Sequence, residues 1–175
     1  MNPKRPPVAP VASLRMRRFR LSLLLAAIGL LAIGAVAGHV IAQSGGSTVT
    51  RTALAESTKV RGVSGRTLGL SRVTIPVRGR IALHHHEGTQ VAYIQAGTLS
   101  YSVKSGGVTV RSGSADNSTV VRKITSGQTG QIRAGQWIVE QPSTVHRAAN
   151  KGKTKVVIYL ATLLKNGAPP STPNG

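Results

Sequence analysis

Short strand-like segments, most of them followed by a glycine, fill the chain between residues 49 and 163. Within many of these segments apolar and polar residues alternate, which is the period of a β-strand with one buried face. The same region contains no convincing amphipathic helix. Short strands at this spacing are typical of a β-sandwich or barrel, so we predict an all-β domain. The predicted strands cover residues 49–55, 66–75, 81–86, 90–95, 98–103, 108–111, 118–124, 129–133, 137–141, 145–149 and 154–163.

Histidines are concentrated in one of these strands. His84 and His86 are two residues apart, so their side chains lie on the same side of a strand. Gln90 follows four residues later, and His146 stands in a distant strand. Three imidazoles with a polar oxygen nearby are suitable ligands for a divalent metal ion. We therefore predict a metal site formed by His84, His86, Gln90 and His146, with His85 facing solvent.

Two short motifs around these residues resemble the two motifs of the cupin superfamily. The first motif consists here of Gly79, His84-x-His86, Gln90 and Gly97, with Gln90 where the family usually has Glu. The second consists of Gly135, Pro142, His146 and Asn150. The resemblance implies a cupin-like double-stranded β-helix, or jelly-roll barrel, over residues 49–165.

The resemblance also implies one divalent metal ion: zinc, iron, manganese, nickel or copper, among which the ligands do not choose. Gln90 would offer a neutral amide oxygen in place of a carboxylate, which leaves the ion more positive but without a built-in base. In the alternative, the barrel keeps these residues for packing and hydrogen bonding and holds a small ligand without a tight metal. Pairing of edge strands is a common route to cupin dimers, so we expect a homodimer.

Strand alternation assigns several further side chains. Tyr93 should face away from Gln90, so we interpret it as a packing or interface residue. In the predicted strand 137–141 we expect Trp137 in the core or at the pocket wall. That phase places Glu140 on the opposite face, outside the site. We expect Asn150 to hold a turn or a backbone group.

Composition excludes several classes of function. The chain has 23 Lys and Arg against 4 Asp and Glu, a formal net charge of +19, and no cysteine. Disulfides and thiolate chemistry are therefore excluded. Four acids offer little for a calcium cage or for the paired carboxylates of a glycosidase. The basic excess favours anionic surroundings such as the cell envelope. Scattered basic residues and few aromatics argue against nucleic acid as a partner.

The amino-terminal part of the chain has the features of a targeting segment. Residues 1–20 form a cationic disordered tail, and residues 21–42 form an apolar segment that we predict to be a hydrophobic helix. A positive flank before an apolar run is typical of an export signal, and this run is also long enough for a transmembrane anchor. Either would place the C-terminal domain outside the cytoplasm. Residues 43–48 read as a linker and residues 166–175 as a flexible tail.

Two functions fit these features. The first is an exported cupin domain that binds a divalent metal, a small ligand or both, without catalysis. The second is a metal-dependent oxygenase or isomerase acting on a small organic substrate, since an open coordination position can bind substrate or dioxygen. The missing Glu at position 90, the scarcity of other acid–base groups and the compact one-domain build favour the first.

Overall fold

The structure, a computed structural model, describes residues 40–41 and 48–174. Within this part of the chain the regular elements are β-strands and one 3-10 helix, Ala115–Asn117. The strands are β1 (Val40–Ile41), β2 (Val49–Ser57), β3 (Arg66–Ile75), β4 (Arg80–His85), β5 (Gly88–Ala96), β6 (Thr98–Ser105), β7 (Gly107–Ser112), β8 (Thr119–Thr125), β9 (Thr129–Arg133), β10 (Gln136–Glu140), β11 (Val145–Ala149), β12 (Val156–Lys165) and β13 (Thr172–Pro173).

The strands form two antiparallel sheets. The larger sheet has the order β1-β2-β3-β12-β5-β10-β7-β8, and the smaller has the order β13-β4-β11-β6-β9. Successive strands alternate between the two sheets from β3 to β6, and they do so again from β9 to β12. Two sheets wound around each other in this way form a jelly roll. The all-β jelly-roll prediction is therefore confirmed.

The core lies between the inner faces of the two sheets. Its most completely buried apolar side chains are β-branched, which suits the pleated surface of a sheet. Five of them have no exposed surface: Ile75, Ile94, Val110, Ile132 and Val156. They come from both sheets, so the two layers close one apolar interior.

Gly97 marks a crossing between the sheets rather than a hairpin. The pair Ala96-Gly97 reads in the sequence as the turn that folds β5 back on β6, and this interpretation is wrong. Strand β5 pairs with β10 and β12, whereas β6 pairs with β9 and β11. Gly97 has a φ of 78°, and a Cβ there would lie 2.6 Å from the carbonyl oxygen of Lys155. A residue without a side chain is required at this corner.

The carboxyl tail is attached to the barrel. Its Pro- and Gly-rich composition predicts a loose segment, but Thr172–Pro173 pairs with β4 at the edge of the smaller sheet. An edge position tolerates proline because one side of the strand needs no N–H donor. The backbone N–H of Asn174 also donates to the carbonyl oxygen of Leu83 at 3.0 Å.

The predicted hydrophobic helix at residues 21–42 lies outside the described residues, apart from Val40–Ile41, which pairs with β2 as strand β1. Within residues 40–41 and 48–174, no helix is long and apolar enough to span a membrane.

Candidate metal centre

Three histidines converge inside the barrel. His84 on β4 and His146 on β11 are directly opposite each other in adjacent strands, and His86 follows immediately after β4. All three side chains are buried, with exposures of 7%, 3% and 2% for His84, His146 and His86. One ligating atom from each lies within 4.8 Å of the others. The triad His84, His86 and His146 can therefore bind a metal ion.

The backbone holds each of these rings by the same nitrogen. Nδ1 lies 2.7 Å from the carbonyl oxygen of Ala82 in His84, and 2.8 Å from that of Pro170 in His86. In His146 the corresponding carbonyl is that of Thr144, at 3.3 Å. A carbonyl only accepts hydrogen bonds, so Nδ1 carries the proton in His84 and His86. In His146 both ring nitrogens face acceptors, Nδ1 the carbonyl of Thr144 and Nε2 a carboxylate oxygen of Glu140. A backbone acceptor on Nδ1 leaves Nε2 as the ligating nitrogen of a ring, as in protein metal sites generally.

Burial keeps the imidazoles of His84 and His86 uncharged. The pKa of His84 is lowered to about 4, mainly by burial and in part by the neighbouring His146. Burial likewise lowers the pKa of His86. A histidine must be neutral to bind a metal. At neutral pH these two rings are therefore already in the form that binds.

Glu140 is part of the site, which corrects the prediction that placed it outside. Its side chain is 3% exposed, and its oxygens lie 3.1 Å from His146 Nε2 and 3.7 Å from His86 Nε2. Burial alone would raise the pKa of this carboxyl. The nearby histidines and hydrogen bonds from Gln90 and Tyr101 outweigh that effect and lower it. The site therefore contains a buried carboxylate, carried on β10.

Glu140 was misplaced because the wrong face of β10 was predicted to point into the barrel. This strand has apolar residues on both of its faces, and the large side chain of Trp137 suggested the wrong one. The structure buries Ile138 and Glu140, with exposures of 1% and 3%. Trp137 is half-buried outside the cavity, where its Nε1 donates to the carbonyl oxygen of Gly113 at 3.0 Å. Trp137 is therefore neither in the core nor at the pocket wall.

Gln90 presents its amide nitrogen to the other polar groups. It lies on β5 directly opposite Glu140, is 3% exposed and donates to Glu140 Oε2. The same nitrogen lies 2.9 Å from Nε2 of His86. Its Oε1 is buried with no hydrogen-bond partner among the described residues. An amide that turned to direct this unpaired oxygen at the three histidines would fit a metal ion, for which Gln90 stays a predicted ligand.

Tyr101 supports the carboxylate from β6. Its hydroxyl donates to Glu140 Oε1 at 2.7 Å, and its ring stacks on His146 with centroids 4.8 Å apart. Burial, with the adjacent negative charge of Glu140, raises the pKa of Tyr101 well above its usual value. Tyr101 therefore acts as a fixed donor.

The histidines and Glu140 line a cavity of about 60 Å³. Most of its other lining residues are apolar and come from both sheets, among them Val73, Leu99 and Ile158. The tail contributes Ser171 to the lining, and β2 contributes Arg51. Sequence reasoning identified neither Arg51 nor the tail.

Other predicted positions agree with the structure. Tyr93 is 40% exposed and lies on the opposite face of β5 from Gln90. Asn150 holds a turn, donating from Nδ2 to the carbonyls of Ile75 and Thr154 and accepting at Oδ1 from the backbone of Gly152.

His85 faces away from the triad, as predicted. Its Nδ1 lies 2.6 Å from Oδ1 of Asn174, and its Nε2 lies 3.3 Å from Glu87 Oε1. The ring is partly exposed rather than free in solvent. It helps to attach the tail to β4.

No family model matches the sequence, and no curated protein does. Among solved structures, the chain is similar to a cupin superfamily protein from Desulfitobacterium hafniense, with 12% identity, a TM-score of 0.47 and coverage of 71% of this chain and 84% of the other. A cupin 2 domain-containing protein from Halorhodospira halophila is 10% identical, with a TM-score of 0.46 and coverage of 71% of this chain and 68% of the other. The oxalate decarboxylase of Lactobacillus farciminis is 16% identical, with a TM-score of 0.46 and coverage of 78% of this chain and 33% of the other. The fold assignment rests on the strand topology of the chain itself.

Proposed function

We propose that this chain is an exported barrel protein that binds a divalent metal ion at His84, His86 and His146 and a small ligand in the adjoining cavity. The observation that carries the proposal is the common arrangement of the three rings. Each Nδ1 faces a backbone carbonyl, which leaves Nε2 as the nitrogen that each ring would offer to a metal. Zinc, iron, manganese, nickel and copper all accept imidazole, and the ligands do not choose among them.

An oxygen ligand for this ion is available from two residues. Gln90, the predicted fourth ligand, would have to turn its amide so that Oε1 faces the histidines. The Glu140 carboxylate already lies beside two of the Nε2 atoms. We retain Gln90 as the proposed ligand and assign Glu140 to the charge balance of the bound ion.

Metal analysis of the purified protein tests this proposal. Elemental analysis should find near-stoichiometric metal in the native protein and little in the His84→Ala/His86→Ala variant. His85→Gln is the matched control, because it changes a histidine between the two ligands that faces the other way and keeps a donor for Asn174. Little metal in the native protein, even after reloading, would leave only a ligand-binding barrel.

A second candidate function is a metal-dependent oxygenase or isomerase. The observation that favours it is Glu140, a buried carboxylate with a lowered pKa beside the three imidazoles. It supplies an acid–base group that the sequence analysis did not place in the site. The bound metal would polarise a substrate oxygen, Glu140 would hold or accept a proton, and the apolar walls would exclude water. An enzyme should lose turnover in His86→Ala while keeping its fold, whereas a binding protein has no turnover to lose.

We also propose the location and partners that the sequence predicts. The Arg-rich flank and apolar segment before residue 43 support export, either with cleavage or with a retained anchor. The basic excess suits an anionic envelope surface. We propose a homodimer as the assembly, which light scattering on the purified protein would test.

A further inference from the structure

Arg51 is the single Lys or Arg that lines the cavity among the residues that the structure describes. It lies on β2, two residues after Val49, so both side chains face the interior from the same side of the strand. Val49 is 3% exposed and lines the same cavity. Across the ladder, Arg51 is opposite the buried Val73 of β3. One partly exposed guanidinium group therefore lines a mostly apolar cavity.

The guanidinium of Arg51 has no side-chain hydrogen bond and no ion pair within residues 40–41 and 48–174. Burial lowers the pKa of Arg51, and the charge of Glu140 only partly opposes this. Glu140 is already engaged by Gln90, Tyr101 and His146. A guanidinium carries five N–H donors and stays charged, and leaving such a group unpaired in an apolar site is costly.

With a metal ion bound, the cavity would carry an excess of positive charge. With a divalent ion at the histidines, the metal and Arg51 are positive and Glu140 supplies one negative charge. A ligand that carries its own negative charge would complete the balance. Planar, bidentate pairing with a carboxylate is the geometry for which a guanidinium is best suited.

The size of the cavity limits the ligand. A volume of about 60 Å³ suits a small molecule with few non-hydrogen atoms. A carboxylate takes three of those atoms. The apolar side chains around it, such as Leu99 and Leu160, leave room for a short carbon chain and little else.

We propose that the cavity binds a small organic monocarboxylate, with its carboxylate on Arg51 and its short carbon chain directed toward His84, His86 and His146. This inference rests on the proposed function, since it takes the cavity as the ligand site of a metal-binding barrel. It makes Arg51 the residue that selects acids over neutral molecules of the same shape.

Binding of propionate, lactate and propionamide to the full chain tests the inference, with calorimetry as the readout on metal-loaded and metal-free samples. The acids should bind, and propionamide, which has the shape of propionate without the charge, should bind at least tenfold more weakly. Arg51→Met should weaken acid binding by about tenfold or more while metal content is unchanged. Arg51→Lys keeps the positive charge but loses the planar guanidinium that can pair with both carboxylate oxygens. It should weaken acid binding less than Arg51→Met does.

Arg72→Met is the matched control. Arg72 lies on the adjacent strand β3, is exposed, and carries the same charge. It should leave acid binding unchanged. Equal losses in Arg72→Met and Arg51→Met, or equal binding of propionate and propionamide, would overturn the inference. So would full acid binding in Arg51→Met, which would mean that the metal alone holds the acid.

Metal content measured on the same samples separates the two proposals. Arg51-dependent acid binding without stoichiometric metal would refute the metal site and support the carboxylate site. Metal binding without discrimination between acid and amide would do the reverse.

Discussion

Gln90 and Glu140 face each other across β5 and β10, and together they set the charge of the histidine site. Gln90→Glu would place a second carboxylate against the first in a buried position. Two like charges so close raise the pKa of one acid, which disfavours the folded, metal-free protein. We expect the free energy of unfolding at pH 7 to fall by about 1–4 kcal/mol without metal, and metal to restore it.

Urea unfolding of the metal-free and zinc-loaded proteins measures this difference. The destabilisation should grow as the pH rises above the ordinary pKa of Glu and shrink below about pH 4, where Glu is protonated in the unfolded chain too. Gln95→Glu is the matched control, because Gln95 lies on the same strand with its side chain exposed. Equal stability of Gln90→Glu and Gln95→Glu without metal would contradict the expectation.

At the scale of single residues, the sequence predicted the histidines and Gln90 but missed Glu140 and Arg51. His84 and His86 could be found because a spacing of two fixes one face of a strand. Glu140 could not, because both faces of β10 contain apolar residues and nothing local sets the phase. Arg51 is one basic residue among 23 in a strongly basic chain. Its special position depends on which strand closes the cavity, and that is a property of the tertiary fold.

Strand β13 and the residues around it connect the tail to the metal site. The carbonyl oxygen of Pro170 is the acceptor for Nδ1 of His86, so it fixes the tautomer and direction of that ring. Removing residues 169–175 deletes this acceptor and Ser171, which lines the cavity. Loss of such a partner typically weakens metal binding by about 10–100-fold. We expect a loss of this size in the truncated protein, measured by competition with a chelator.

Pro170→Ala is the control for the truncation, since it keeps the main-chain carbonyl and should change metal affinity little. Unaltered affinity in the truncated protein would show that His86 needs no support from the tail. A large effect of Pro170→Ala would point to the ring of the proline instead of its carbonyl.

Several strands were predicted with their observed limits, among them Arg66–Ile75, Thr129–Arg133 and Val145–Ala149. Each of these is bounded by turn residues that a local pattern reveals. The crossing at Gly97 was not predicted, because a glycine between two strands looks the same whether the chain turns within one sheet or passes to the other. The pairing of the tail with β4 was not predicted for a related reason. The composition of the tail does not show that the edge of a distant strand is available for pairing.

For the whole molecule, the spacing of strands and the two motifs were sufficient to predict a jelly roll, and the topology confirms it. Export remains a prediction from residues 1–42. We expect fractionation of cells producing the full chain to recover the protein outside the cytoplasm. The amino terminus of the recovered protein should begin after residue 37 or 42 if the segment is cleaved, or remain intact in the membrane fraction if it is an anchor. Full-length protein in the cytoplasmic fraction would contradict both forms of export.

The opposition of Gln90 and Glu140 also limits how this barrel can diverge. A change to Glu at position 90 alone puts two acids in the cavity, and a change to Gln at position 140 alone leaves none. Exchanging both side chains restores one carboxylate and one amide in the same volume. The charge of the cavity thus depends on both positions. The residue at position 90 alone does not show whether the cavity contains a carboxylate.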